Sequence, residues 1–86
     1  MKDLTLYFMV PPSEIGYIGF IIHAYEGLAV VRTLDAERGI IEMLATPDFE
    51  AELRDLLREM AEEVPMREVS RDLIQAWGIG EEAHGH

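Results

Sequence analysis

Hydrophobic residues change their spacing along the chain in a way that predicts alternating strands and helices. Residues 4–10 are apolar at both odd and even positions, which is typical of a strand buried on both faces. Pro11 and Pro12 end this strand, and apolar residues then recur every three or four positions, which predicts a helix over residues 12–26. The core-facing positions of that helix are Ile15, Ile18, Ile21, Ile22 and Tyr25.

A hairpin and a second helix are predicted next. Residues 28–34 and 40–45 are rich in Val, Ile and Leu, and the turn between them ends at Gly39, so they predict two antiparallel strands. Thr46 is expected to cap a second helix with Pro47 in its first turn, and Pro65 ends it. Its apolar stripe consists of Phe49, Leu53, Leu56, Leu57, Met60, Ala61 and Val64.

The last third of the chain predicts a short strand and one helical turn. Residues 66–69 form the strand, and Ser70 is expected to cap a turn that carries Leu73, Ile74 and Trp77. The order βαββαβ predicts an α+β, ferredoxin-like fold with a four-stranded antiparallel sheet and two helices on one face. With 86 residues the chain is too short for a second core, so we expect a single domain over 1–78 and a flexible tail over 79–86.

The segment Tyr25-Glu26-Gly27-Leu28-Ala29-Val30-Val31-Arg32-Thr33-Leu34-Asp35, with Gly39 and the opening Pro12-Ser13-Glu14-Ile15, resembles a small bacterial family catalogued as domain of unknown function 4911. The resemblance covers about residues 4–65. It implies no activity and supplies no catalytic residue. The plan of the fold is also similar to ACT-type regulatory domains, which bind small metabolites near the first strand-to-helix loop. Those domains usually place Asp and Gly there, where this chain has Pro11-Pro12-Ser13.

Composition narrows the classes of partner. Seven Lys and Arg stand against seventeen Asp and Glu, and the net charge of −10 repels phosphate backbones and anionic lipids. We therefore expect neither nucleic acid nor membrane as a partner. The apolar run over residues 4–10 is short, preceded by Asp3 and stopped by Pro11-Pro12, so it makes a poor signal peptide, and we expect a cytoplasmic protein. Cysteine is absent, so disulfides and thiolate metal sites are impossible.

Side chains with catalytic or metal-binding potential are scattered. His23 stands alone on the first helix, and His84 and His86 lie in the terminal tail, so we expect no metal site and no cofactor. The four-residue spacing of Asp55 and Glu59 on an amphipathic helix is typical of a solvated face. General acid–base catalysis needs a carboxylate whose pKa is shifted by burial or a partner, so no catalytic residue is assigned.

A candidate ligand site lies at the start of the first helix, where free backbone N–H groups favour an anionic or carbonyl-bearing metabolite. A charged pair near the hairpin is a second candidate element of ligand recognition, although its arginine fits better as a gatekeeper against aggregation on an edge strand. The candidate residues are Pro12, Ser13, Glu14 and Gly16 at the helix and Glu26 and Arg32 in the pair.

Apolar residues are too numerous for one core, which predicts self-association. A ferredoxin-like monomer exposes one sheet face, and these strands do not alternate with polar residues as that requires. The outer side of the first helix is uncharged too, and Gly16 and Gly19 within it indicate close backbone packing. We expect a homo-oligomer, most simply a dimer, with the segment around Trp77 as a partial alternative cover. The candidate interface residues are Thr5, Tyr7, Met9, Ile41 and Met43 on the sheet and Tyr17, Phe20 and Ala24 on the helix.

Three functions are compatible with these features. The first is a non-catalytic, self-associating module that senses or regulates through a small ligand. The second is an adaptor or small subunit that docks onto another protein through the apolar helix face. The third is an enzyme of the small α+β barrel type, because dimers of this plan enclose reaction pockets without an obvious motif.

Overall fold

The structure, a computed structural model, describes residues 3–25 and 27–79. One-turn 3-10 helices, Pro12–Glu14 and Pro47–Phe49, precede the first two α-helices, so each predicted helix begins with a tighter turn. The predicted order of elements is confirmed. In chain order the elements are β1 (Leu4–Met9), α1 (Ile15–Ala24), β2 (Val30–Asp35), β3 (Ile40–Ala45), α2 (Glu50–Met60), β4 (Arg67–Val69) and α3 (Arg71–Ala76).

The sheet is antiparallel with the strand order β2-β3-β1-β4, which confirms the α+β, ferredoxin-like prediction. β1 lies between β3 and β4, and β2 and β4 form the edges. Both long helices pack on one face of this sheet. That core unites Leu6, Phe8, Ile41 and Met43 of the sheet with Ile18 and Ile22 of α1 and Leu53, Leu56, Leu57 and Met60 of α2.

Ile41 and Met43 face this core, so their predicted place at an interface is wrong. Both side chains are fully buried beneath the helices. The reason is the register of β3 against β1, in which Met43 pairs with Leu6 and Ile41 pairs with Phe8. Directly opposite residues in neighbouring strands point to the same face, and Leu6 and Phe8 point to the helices.

α3 covers part of the opposite face of the sheet, which contains the predicted interface residues Tyr7 and Met9. Tyr7 and Ile40 are buried there with Ile74 of α3, and Met9 packs against this second cluster. Arg71 lies over the Tyr7 ring at 5.8 Å. Thr5, also predicted for the interface, is half-buried further along β1. The protein's own C-terminal segment therefore supplies much of the cover that a second copy was expected to provide.

The end of α3 brings one more residue into this cluster. Gly78 has a φ of 69°, its N–H donates to the Gln75 carbonyl, and the Ile79 N–H donates to the Ile74 carbonyl at 3.1 Å. These two bonds form a Schellman motif, which commonly joins the flanking apolar residues. Ile79 is buried with Ile74, so this residue packs in the second cluster although it was expected to begin the flexible tail. Residues 80–86 of the expected tail lie outside the described residues.

Helix caps follow the prediction at one of two positions. The Ser70 hydroxyl accepts a hydrogen bond from the Leu73 N–H at 3.1 Å and caps α3 as expected. Thr46 is extended, but among the described residues its side chain accepts no capping hydrogen bond. The 3-10 turn that begins at Pro47 instead bonds the Phe49 N–H to the Thr46 carbonyl at 3.0 Å.

An ion pair lies at the centre of the sheet face that α3 partly covers. Glu42 of β3 is 7% exposed and is the one buried charged residue within the described part of the chain. Arg32 is its direct cross-strand partner on the edge strand β2, and its Nε donates to Glu42 Oε1 at 2.8 Å. The edge position is the one that the gatekeeper interpretation of Arg32 requires.

Replacing Arg32 by Ala is expected to destabilise the fold by about 1 to 2 kcal/mol, because the buried Glu42 carboxylate loses its partner. The figure is modest because half of the Arg32 side chain is exposed, and solvent screens the pair. Urea unfolding followed by circular dichroism measures the loss. The double variant Arg32→Ala/Glu42→Gln should recover part of this loss, because it removes the unpaired charge. If the double variant is no more stable than Arg32→Ala, the Glu42 carboxylate needs no partner.

Candidate ligand pocket

One wall of the pocket is the segment that follows α1. α1 ends at Ala24, and the Leu28 N–H donates to the Tyr25 carbonyl at 3.0 Å, which closes a tight turn. Gly27 in this turn has a φ of 80°, which is typical of a glycine that follows a helix end. The turn buries Leu28 in the core and leaves the Tyr25 side chain 51% exposed.

The other wall is the start of α2. Phe49, which immediately precedes the helix, is 43% exposed, Glu52 is exposed, and Leu56 is buried one turn further on. Between the two walls lies an open pocket of about 520 Å³, within the range that small-molecule sites occupy. Its lining consists of Tyr25, Gly27, Leu28, Phe49, Glu52 and Leu56.

A second depression of about 390 Å³ adjoins this pocket and shares Tyr25, Gly27 and Leu28 with it. It extends past His23 at the end of α1 toward the ends of β2 and β3. Its other lining residues are Asp3, Ile22, Ala29, Val30, Leu44, Ala45 and Thr46. Tyr25, Gly27 and Leu28 therefore border both hollows.

The chemistry of the larger hollow is apolar with one acidic group. Tyr25 and Phe49 offer aromatic faces, whose quadrupoles attract cations as well as apolar groups. Glu52 carries the negative charge at the rim. Such a pocket favours a ligand with an aromatic or aliphatic body and a cationic or hydrogen-bond-donating group.

The predicted ligand residues at the start of the first helix lie at the opposite end of α1. Pro12, Ser13 and Gly16 are exposed and Glu14 is half-buried. Ten residues of α-helix separate the two ends by about 15 Å. The N–H groups of Glu14 and Ile15 donate to the carbonyls of Pro11 and Pro12 in the 3-10 turn. Two of the donors that were expected to hold an anion are therefore occupied by the backbone.

The predicted charged pair is only partly described. Glu26 lies outside the described residues, although its neighbours Tyr25 and Gly27 line both hollows. Arg32 binds Glu42 on the sheet face opposite α1 and α2. The structure thus separates Arg32 from the residues at the start of α1, and the role of these residues in ligand binding stays a prediction.

The outer side of α1 is uncharged and open. A Cβ at Gly16 or Gly19 would meet no described atom within 4 Å, so neither glycine serves close packing within this part of the chain. Phe20 is 72% exposed, and Ala24 is exposed. The Tyr17 hydroxyl donates to Glu63 Oε1 at 3.2 Å, and this hydrogen bond, with the charge of the carboxylate, raises the pKa of Tyr17.

The described residues contain neither a membrane-spanning helix nor a metal-binding cluster. Residues 3–25 and 27–79 contain no helix of the length and hydrophobicity needed to cross a bilayer. They also hold no cluster of three or more His, Asp or Glu side chains arranged to bind a metal ion. His84 and His86 lie outside the described residues.

Most of the pocket was missed by sequence reasoning. Phe49 and Leu56 were assigned to the apolar stripe of the second helix and Leu28 to a strand, because periodicity marks apolar positions without saying which of them border a cavity. One signal was available in Phe49, which follows Thr46-Pro47-Asp48 directly. An apolar residue in the first turn of a helix lies at the end of the core, where cover by neighbouring elements is incomplete.

Comparison with known proteins extends to the family level. The family model described as domain of unknown function DUF4911 matches residues 8–64, from within β1 to the turn after α2, and so includes both walls of the pocket. No curated protein and no solved structure shows a significant match to this chain. None of these comparisons relates the chain to ACT-type domains. Because the matched residues make up more than half of the chain, this protein belongs to the DUF4911 family.

Proposed function

We propose that this protein is a non-catalytic regulatory module that binds a small amphipathic ligand between α1 and α2. The observation that carries the proposal is the pair of exposed aromatic side chains, Tyr25 and Phe49, which flank a hollow floored by buried Leu28 and Leu56. Soluble proteins leave such side chains exposed at a cost in hydration, and convergent exposed apolar groups mark binding sites.

Charge at the rim sets the class of ligand. Glu52 is the one acidic side chain among the described lining residues of the larger hollow, and the whole chain carries a net charge of −10. An anionic head group would meet this field unfavourably, whereas an amine would be attracted to Glu52 and to the aromatic faces. The proposed ligand is thus a cationic amphiphile with a ring or a short chain. This replaces the anionic metabolite expected at the start of the first helix.

Binding rather than catalysis is what the lining supports. Proton transfer in an active site uses an acid and a base within hydrogen-bond reach of the same substrate atoms. Glu52 stands among apolar lining residues, so it suits electrostatic recognition of a ligand better than a two-group mechanism. A ligand that fills the hollow would join the end of α1 to the start of α2 and stabilise that end of the fold.

Two probes with the same ring and opposite charges test this proposal. Tryptamine and indole-3-acetate are titrated into the isotopically labelled full chain, and amide shifts are followed by NMR. We expect tryptamine to shift residues 25, 27, 28 and 49–56 and to bind at least about fivefold more tightly than indole-3-acetate, a difference of about 1 kcal/mol. Equal binding of the two probes, or shifts elsewhere, would contradict the proposal.

Substitutions locate the site. Phe49→Ala removes an exposed ring and should weaken tryptamine binding at least about fivefold, and Glu52→Gln should remove the preference for the cation. Ser13→Ala is the matched control, since it alters the start of the first helix, where an anion was expected, and should leave tryptamine binding unchanged. If Ser13→Ala abolishes binding and Phe49→Ala does not, the ligand lies at the other end of α1.

A further inference from the structure

The outer face of α1 is an exposed apolar surface that does not overlap the pocket lining. Ser13, Gly16, Phe20 and Ala24 follow one another at three- or four-residue spacing, so they form one line along the helix on the side away from the core. All four are exposed, and Phe20 has the largest exposed fraction among the large apolar side chains of the described residues. Phe20 and Ala24, with the partly exposed Tyr17 beside them, form an uncharged apolar patch, and contiguous patches of this kind mark interaction surfaces.

Charge restricts what this partner is. The neighbouring helix α2 presents Glu52, Asp55 and Glu59 to solvent, whereas the line along α1 bears no charge. Two copies that each carry −10 repel one another least where their uncharged surfaces meet. A basic protein would instead be drawn to α2, so the α1 face suits a second copy of this chain.

The shape of the face is complementary to itself. Gly16 lies one turn from Phe20 on the same line, and a Cβ at Gly16 would meet no described atom within 4 Å, so a notch stands beside a projecting ring. When two such helices lie antiparallel about a two-fold axis level with Ile18, residue 20 of each falls opposite residue 16 of the other. We propose that α1 packs antiparallel against α1 of a second copy, with Phe20 of each seated at Gly16 of the other.

This arrangement gives Gly16 a reason. Glycine within a helix is unfavourable relative to alanine, and here neither Gly16 nor Gly19 is required by contacts within the described residues. An isologous dimer uses one patch twice, so a single notch and a single ring suffice. One helix face is small beside the roughly 800 Å² per partner of a standard interface, so the dissociation constant should lie at about 10 to 100 μM.

Sedimentation velocity of the full chain between about 5 and 500 μM tests the proposal over the range in which such a dimer forms. We expect a concentration-dependent shift from monomer to dimer that strengthens with added salt, because salt screens the repulsion between two acidic copies. Phe20→Gln and Gly16→Gln should each weaken association at least about tenfold. Phe20 is 72% exposed, and a Cβ at Gly16 would meet no described atom within 4 Å, so circular dichroism should be unchanged.

Gly19→Gln is the matched control. It replaces a glycine of the same helix whose Cβ position is equally open among the described residues, but it lies on the flank of the helix and not on the line of Phe20. Its dimer affinity should stay within about threefold of that of the unchanged protein, less than 1 kcal/mol. A chain that is monomeric at 500 μM, or a dimer insensitive to both Phe20→Gln and Gly16→Gln, would overturn the proposal. Tryptamine binding does not depend on the outcome.

Discussion

Gly39→Ala is expected to lower the free energy of unfolding by about 3 to 5 kcal/mol, although the substitution removes no side chain. Gly39 has a φ of 76°, which costs a residue with a Cβ about 1 to 2 kcal/mol. A Cβ at this position would also overlap the carbonyl oxygen of Val10. The backbone cannot move away freely, because the Val10 N–H donates to the Gly39 carbonyl at 2.8 Å.

The turn around Gly39 has little room to relax. Asp35 Oδ1 accepts a hydrogen bond from the Arg38 N–H at 3.0 Å, and this bond fixes the backbone just before Gly39. Since domains of this size have a free energy of unfolding near the lower end of about 5 to 15 kcal/mol, the variant should be largely unfolded at 37 °C. Thermal and urea unfolding followed by far-UV circular dichroism measure the change at one fixed protein concentration.

Gly27→Ala separates the two causes. Gly27 has a nearly identical φ of 80°, but a Cβ there would meet no described atom within 4 Å. Its substitution should therefore cost only the conformational part, about 1 to 2 kcal/mol. If Gly39→Ala were no more damaging than Gly27→Ala, the hairpin would be able to withdraw from Val10 at little cost.

The plan of the fold was predictable because the signals along the chain agree. Pro11-Pro12 and Pro65 mark ends, Gly27 and Gly39 mark turns, and the stripe of α2 continues in a single phase from Leu53 to Met60. Each of these local preferences favours the same arrangement, and such agreement is what lets a short sequence specify one structure. The strand order β2-β3-β1-β4 then follows from the connections.

The faces of the strands were harder to predict. In β3 nearly every position is apolar, so the pattern does not show whether the odd-numbered or the even-numbered residues face the helices. Ile41 and Met43 were therefore placed outward and are in the core, while Ile40 and Glu42 occupy the other face. The charge of Glu42 correctly indicated that the even-numbered residues face away from the core. One charged residue is weak evidence for a solvent-facing side, because it can be buried with a partner, as Glu42 is with Arg32.

The candidate pocket depends on proximity that periodicity does not encode. Tyr25 and Phe49 are 24 positions apart and line one hollow because the segment after α1 lies beside the start of α2. The predicted site at the start of α1 rested on free N–H groups, and two of these are satisfied by a 3-10 turn. Whether such a turn or a regular α-helical turn follows Pro12 is decided by small differences in backbone geometry.

Ile74→Ala tests whether the chain's own C-terminal segment covers the second face of the sheet. We expect a loss of about 2 to 4 kcal/mol, because Ile74 is buried against Tyr7 and Ile40 and its removal leaves a cavity between α3 and the sheet. The Ile79 side chain, which the Schellman turn holds beside Ile74, would lose its contact as well. Urea unfolding measures the stability, and 1-anilinonaphthalene-8-sulfonate fluorescence reports exposed apolar surface.

Gln75→Ala is the control on the same helix, because Gln75 is exposed and its removal should change stability by no more than about 0.5 kcal/mol. A wild-type stability for Ile74→Ala would mean that α3 is not what keeps Tyr7 and Ile40 from water. In that case a second copy would have to cover this face. Dilution of the unchanged protein should then lower its stability by as much as was expected for Ile74→Ala. A large loss that is independent of protein concentration assigns the cover to α3 and leaves the α1 face as the surface for self-association.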